Sequence, residues 1–164
     1  MCKVFKADEV IDSTYNIDFE DLYNKGIRGI IFDIDNTLVP HDAPCDSRSD
    51  ELIIKLKQMG FKIFILSNNK EERVFKFIKN IKLDYIHKAG KPASANYQKA
   101  LDIMGLKKEE VVAVGDQLFT DCWGAKKFGI KFILVGIIDK KEPFKIKLKR
   151  ALEIPIKLLT KQMI

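Results

Sequence analysis

Two kinds of hydrophobic pattern alternate along the chain: short runs of Ile, Val, Phe and Leu, and longer stretches in which apolar residues recur three and four positions apart. The runs at residues 27–32, 61–66, 111–114 and 130–135 read as strands, with a weaker one at Tyr85 and Ile86. Helical spacing fills the intervals. Leu52, Leu56 and Met59 share a face within 49–59, and Val74, Phe77 and Ile78 do so within 72–80. Tyr97, Leu101 and Met104 repeat the pattern within 93–104, and a further helix is expected over 120–128. Gly60, Gly105 and Gly129 stand where three of these helices should stop. Near-continuously apolar strands joined by helices predict a parallel sheet covered on both faces, a three-layer Rossmann-like α/β fold. Right-handed crossovers then bring every strand's carboxyl end to one edge, where such sheets bind ligands. Residues 1–24 fit none of these units and are expected to form a helix or arm against the sheet edge.

The polar residues just past the strands are therefore the ones to read for chemistry. The first strand runs into Asp33-Ile34-Asp35-Asn36-Thr37 and the second into Ser67-Asn68-Asn69. Lys91 precedes Pro92 after the third region, and Gly115-Asp116 follows the next strand with Asp121 five residues on. Two carboxylates at the end of an apolar strand are costly without a cation. Brought to one edge, these residues supply an oxygen nucleophile, a second acid, donors and a cation for phosphate oxygens, and oxygen ligands for a hard metal. His41 and His87, the two histidines, are far apart in sequence and argue against a His-based metal site; His41 is placed to reach the mouth of the pocket. Cys2, Cys45 and Cys122 form no Cys-x-x-Cys pair, as suits a reducing compartment.

In this order, Asp33-x-Asp35-x-Thr37, Ser67, Lys91 and Asp116 with Asp121 resemble the four motifs of the haloacid dehalogenase superfamily of phosphohydrolases. Over residues 17–150 the chain is similar to its YqeG-type branch, within subfamily IIIA and related to phosphatidylglycerophosphate phosphatases. The resemblance implies a Mg2+-dependent phosphomonoesterase working through an aspartyl-phosphate. In it Asp33 is the nucleophile and a metal ligand, and Asp35 is the acid and base whose backbone carbonyl also meets the metal. Ser67 and Lys91 hold the phosphoryl oxygens. Asp116 is a direct metal ligand, with Asp121 beside it or turned toward Lys91. Thr37 and Asn68 orient the loops and assist substrate binding.

The 164 residues, 46% of them hydrophobic, suit one domain, with a core over about 25–138 and a basic tail over 139–164. Neither cap insertion common in the superfamily has room here, so the site is expected to stand open and to take a phosphate displayed on something large, such as a lipid headgroup. Nucleic-acid ends and phosphoproteins are alternative substrates, and a non-catalytic adaptor binding RNA or a protein partner is an alternative of another class. The chain carries neither a Walker loop nor the aromatic-and-glycine pattern of an RNA-binding platform, and nucleic acid is not the expected partner. Of the net charge of +6, most lies in the tail, where eight basic residues face three acidic ones. There Phe144, Leu148, Ala151 and Leu152 share a helical face beside Lys145, Lys149 and Arg150, and Pro155 is expected to kink or end the helix. That helix either packs its apolar face on the domain or offers it to an anionic membrane surface. With no apolar run long enough to span a bilayer and no signal-peptide pattern, the chain is expected to be cytoplasmic, with peripheral contact at the inner membrane surface.

Overall fold

The computed structural model describes residues 2–164. Six parallel strands form one sheet: β1 (Glu9–Ile11), β2 (Gly29–Phe32), β3 (Lys62–Leu66), β4 (Asp84–Ile86), β5 (Val111–Gly115) and β6 (Lys131–Val135). Their order across the sheet is β1-β6-β5-β2-β3-β4. Helices α1 (Phe19–Asn24), α2 (Ser47–Gln58), α3 (Glu71–Ile78), α4 (Ala95–Met104), α5 (Trp123–Phe128) and α6 (Phe144–Thr160) complete the chain.

Strand side chains alternate between two cores. Ile30, Phe32, Ile63, Ile65, Val112 and Val114 meet residues of α1, α2 and α3 on one face. Ile31, Phe64, Leu66, Ala113, Phe132 and Leu134 meet α4 and α5 on the other. Burial on both faces is why these strands carry no polar alternation. The five expected strands are present, within two residues of their predicted bounds.

Within residues 2–24 the chain gains a structure that its sequence pattern does not announce. Glu9–Ile11 adds an edge strand, pairing in parallel with Ile133–Val135 of β6. The 3-10 turn that follows, Thr14–Asn16, braces the loop after β2. Thr14 Oγ1 donates to the Thr37 carbonyl at 2.6 Å, and the Tyr15 hydroxyl donates to the Leu38 carbonyl at 2.5 Å. Burial, helped by the charge of Asp46, pushes the Tyr15 phenol up to about 12. Cys45 and Cys122 are free thiols; the side chain of Cys2 lies outside the described residues.

The tail helix answers two points that its sequence left open. It continues through Pro155 rather than ending there, because this residue lies on the exposed side, where the carbonyl left without an amide partner is open to water. It also docks through Arg150 and Glu153, with Ile156 packed against the second core. Glu153 is fully buried and accepts from the Phe119 amide at 3.0 Å, while Phe144, Leu148 and Leu152 face solvent. Among the described residues no helix is long and apolar enough to cross a membrane.

Candidate active site

The carboxyl ends of β2, β3 and β5 converge on a pocket of about 170 Å³ whose walls include Asp33, Asp35, Asn68, Lys91 and Asp121. β2 lies between β3 and β5, so the residue that follows it sits at the middle of this edge. That residue is Asp33, and its amide donates to the Val114 carbonyl at 3.1 Å, which carries the β2–β5 ladder one step beyond the strand.

Lys91 is the hub of the cluster. Its Nζ lies 2.7 Å from Asp33 Oδ1 and 2.6 Å from Asp121 Oδ1, and its side chain is only 4% exposed. Burial opposes the ammonium charge, but Asp121 and Asp33 outweigh it and keep the group protonated. Asn68 fixes the same residue by its backbone, with Oδ1 accepting from the Lys91 amide at 2.7 Å and Nδ2 donating to the Lys91 carbonyl at 3.0 Å.

Asp33, Asp116 and Asp121 each place a carboxylate oxygen within 4.8 Å of the others. Asp116 is fully buried. Burial pushes Asp33 up to about 7 against the pull of Lys91, and Asp116 up to about 8 against the pull of Arg150. A buried carboxylate in that range is only partly ionised at neutral pH, and a hard divalent cation restores its ionisation. Three clustered oxygen donors fit a divalent metal of the magnesium kind.

Asp121 reaches the cluster because Leu118–Cys122 forms a single π-helical turn ahead of α5. The turn lies against Gly115, where a Cβ would fall 2.6 Å from Asp121 Cβ and 2.7 Å from its Cγ. Only glycine lets the strand end and this carboxylate approach so closely.

The remaining expected residues occupy distinct places. Asp35 Oδ1 accepts from Arg73 Nη2 at 2.7 Å and from the Asp42 amide at 2.8 Å, and its Oδ2 accepts from Asn69 Nδ2 at 2.6 Å. Its carboxylate lines the pocket but stands outside the three-acid cluster. Thr37 is buried behind the cluster, with Oγ1 3.4 Å from Asp116 Oδ1. Ser67 is buried at the end of β3, and its hydroxyl accepts from the Asn69 amide at 3.2 Å. His41 is on the pocket wall, 3.9 Å from Asp35.

Several participants come from positions to which the sequence pattern assigns no role. Arg150 reaches in from α6, pairing with Asp116 and, at 2.5 Å, with Glu142 Oε1. Glu142 also accepts from Asn36 Nδ2 at 2.6 Å, and Asn36 Oδ1 accepts from the Asp139 amide at 2.9 Å. Asn36 adopts a φ of 59°, a conformation that asparagine tolerates better than most residues. Ile146 and Lys149 of the same helix line the pocket, so the site expected to stand open has one wall closed by α6. A signal was available: only four of the 29 basic residues are arginines, and two of them, Arg73 and Arg150, are the ones that hold site carboxylates.

A parallel sheet with an acid cluster and a buried lysine at its carboxyl edge suits phosphoryl chemistry, and the comparisons with known proteins give the class as phosphate-ester hydrolases. The family model for haloacid dehalogenase-like hydrolases matches residues 41–129, and the chain belongs to that family as a phosphatase-type enzyme. It is 38% identical to "Probable phosphatase YqeG" of Bacillus subtilis (strain 168) over 152 residues, 92% of this chain and 88% of that protein. It is 30% identical over 103 residues to "Pyrophosphatase PpaX" of Halalkalibacterium halodurans, of which it covers 47%. The fold is shared with the cobalt-bound deoxy-D-mannose-octulosonate 8-phosphate phosphatase YrbI of Haemophilus influenzae, at a TM-score of 0.56 and 13% identity, over 84% of this chain and 91% of that one.

Proposed function

We propose that the protein is a magnesium-dependent phosphomonoester hydrolase that turns over through a phosphorylated Asp33. The observation that carries this reading is the grouping of Asp33, Asp116 and Asp121 around the buried Lys91 at the pocket floor. Asp33, Asp116 and Asp121 would hold the metal, together with the backbone carbonyl of Asp35. When bound, the metal neutralises the repulsion between these carboxylates and a phosphate dianion.

Asp33 Oδ forms the bond to phosphorus as the ester P–O bond breaks, and Asp35 gives a proton to the departing alkoxide. Asp35 then takes a proton from a water molecule whose oxygen attacks phosphorus. This breaks the Asp33–phosphorus bond and releases inorganic phosphate. Lys91 is poised to draw the charge of the equatorial oxygens, and Ser67 and Asn68 shape the loop that meets them. Arg73 and Asn69 hold the Asp35 carboxylate to one side of the cluster, which supports a role in proton transfer rather than as a metal ligand through its side chain.

A phosphate carried on something large suits a pocket with no cap domain over it. The resemblance to phosphatidylglycerophosphate phosphatases makes a phospholipid headgroup, met at an anionic membrane surface, the first substrate to try. Phosphate release from phosphatidylglycerophosphate and from a generic aryl phosphate, with and without magnesium, tests the reading in wild type and Asp33→Asn. Magnesium-dependent release that falls by roughly a thousandfold or more in the variant is expected from loss of the nucleophile. Undiminished turnover in Asp33→Asn would refute the mechanism.

A further inference from the structure

Helix α6 is amphipathic but docked inside out. Its inward side is anchored by charge: Arg150 and Glu153 are tied to Asp116, Glu142 and the Phe119 amide, Glu153 lies 3.8 Å from Lys157, and Ile146 and Ile156 are the apolar residues turned the same way. Its outward side is an apolar stripe. Phe144, Leu148, Leu152 and Leu159 recur at intervals of four or seven and are 77%, 52%, 60% and 79% exposed. A globular domain ordinarily turns such a stripe inward, and a patch this apolar beside charged residues marks a contact surface.

Charge selects the occupant. Lys145, Lys147 and Lys149 are exposed along the helix, with Lys140 and Lys141 just ahead of it and Lys161 just after. The two acids nearest to the stripe, Glu142 and Glu153, are turned inward and paired, and Asp139 is engaged by the Lys141 amide at 2.9 Å, so lysines outnumber carboxylates on the outward side. Large apolar side chains rimmed by lysines match the headgroup boundary of an anionic bilayer. A second copy of this chain fits poorly, because apposing two such faces would bring their lysine rims together.

We propose that the outward face of α6 docks on an anionic phospholipid bilayer and thereby brings the pocket walled by the same helix close to the headgroup layer. The helix is keyed to the site by the Arg150–Asp116 pair, and it supplies Ile146 and Lys149 to the pocket wall. Phe144 and Leu148 stand within one helical turn of Ile146 and Lys149 along the axis, so a membrane on the outward face is separated from the pocket by the width of the helix. The proposal deepens the phosphatase reading by naming how a membrane-borne phosphate reaches it.

Co-sedimentation with vesicles of phosphatidylglycerol and phosphatidylcholine, beside vesicles of phosphatidylcholine alone, tests it in the full-length protein. Wild type is compared with Phe144→Ser/Leu148→Ser/Leu152→Ser, none of which touches the pocket. Wild type is expected to bind the anionic vesicles at low salt and to lose most of that binding in high salt. The variant should bind at least roughly tenfold more weakly, since insertion scales with apolar area, while hydrolysing a soluble aryl phosphate as wild type does. Absence of wild-type binding to anionic vesicles at low salt overturns the proposal, as does undiminished binding by a folded variant. A wild-type dimer in light scattering that the triple substitution converts to monomer would assign the stripe to self-association and overturn it too. The two readings fail separately: vesicle binding without aryl phosphatase activity removes the catalytic reading and leaves docking, and the converse removes docking alone.

Discussion

Replacing Arg150 with methionine tests whether the tail and the acid cluster form one electrostatic unit. The guanidinium pairs with Asp116, whose side chain is 0% exposed, and with Glu142, whose side chain is 3% exposed. Methionine keeps most of the aliphatic packing but leaves Asp116 without its only salt-bridge partner among the described residues. Breaking a buried pair from one side costs about 3–5 kcal/mol. At about 2–4 °C per kcal/mol for a chain of this size, the melting temperature should fall by about 10 °C in EDTA. A divalent cation on Asp116 supplies the charge that the guanidinium supplied, so saturating magnesium should recover about half of the loss, leaving the share due to Glu142 and helix docking. Thermal melts of both proteins, with EDTA and with magnesium, measure the four numbers required. A loss of the same size in both conditions would refute the coupling between Arg150 and the metal site. So would a wild-type melting temperature indifferent to magnesium.

Two further substitutions probe the supports of the site. Gly115→Ala puts a Cβ 2.6 Å from that of Asp121; overpacking of this kind costs about 1–3 kcal/mol, and the displaced carboxylate should lower turnover by about tenfold or more, checked by melting and by phosphate release. Tyr15 protonation stabilises the fold fully below its unfolded pKa, near 10, and that contribution is lost as pH rises through about 12. Tyr15→Phe should flatten this alkaline decline and cost about 1 kcal/mol at neutral pH through the lost bond to Leu38, and matching alkaline stability profiles for the two proteins would contradict the assignment.

What could be read from the sequence divides along the range of the forces involved. β2, β3, β5 and β6 were legible because a strand buried on both faces must be apolar throughout, and their order places Asp33 mid-edge whatever the loops do. Asp33 and Asp35 were legible because two acids at the end of an apolar strand need a cation or a partner, whereas Asp116 and Asp121 were picked out by their resemblance to the fourth family motif. β1 was not: Glu-Val-Ile is too short to show periodicity, and pairing with β6, more than a hundred residues later, is what makes it a strand. Arg150 was hidden for the same reason. In the sequence it is one more cation in a basic tail, and only the folded chain brings it to a carboxylate 34 residues upstream.

The orientation of α6 shows where periodicity stops being informative. An apolar stripe specifies that a helix has two unlike faces, but not which of them meets the body of the protein. Here the choice rests with a few polar contacts: Arg150 needs Asp116 and Glu142, and Glu153 needs the Phe119 amide. Were the helix turned about its axis, Phe144, Leu148 and Leu152 would be covered, yet Asp116 would be buried beside Asp33 and Asp121 with one fewer cation. An unpaired buried charge costs about 3–5 kcal/mol, of the same order as three partly covered apolar side chains gain, so the acid cluster offsets the pull that would turn the stripe inward. The same residues that build the phosphatase site thus help determine which surface the protein presents to its surroundings.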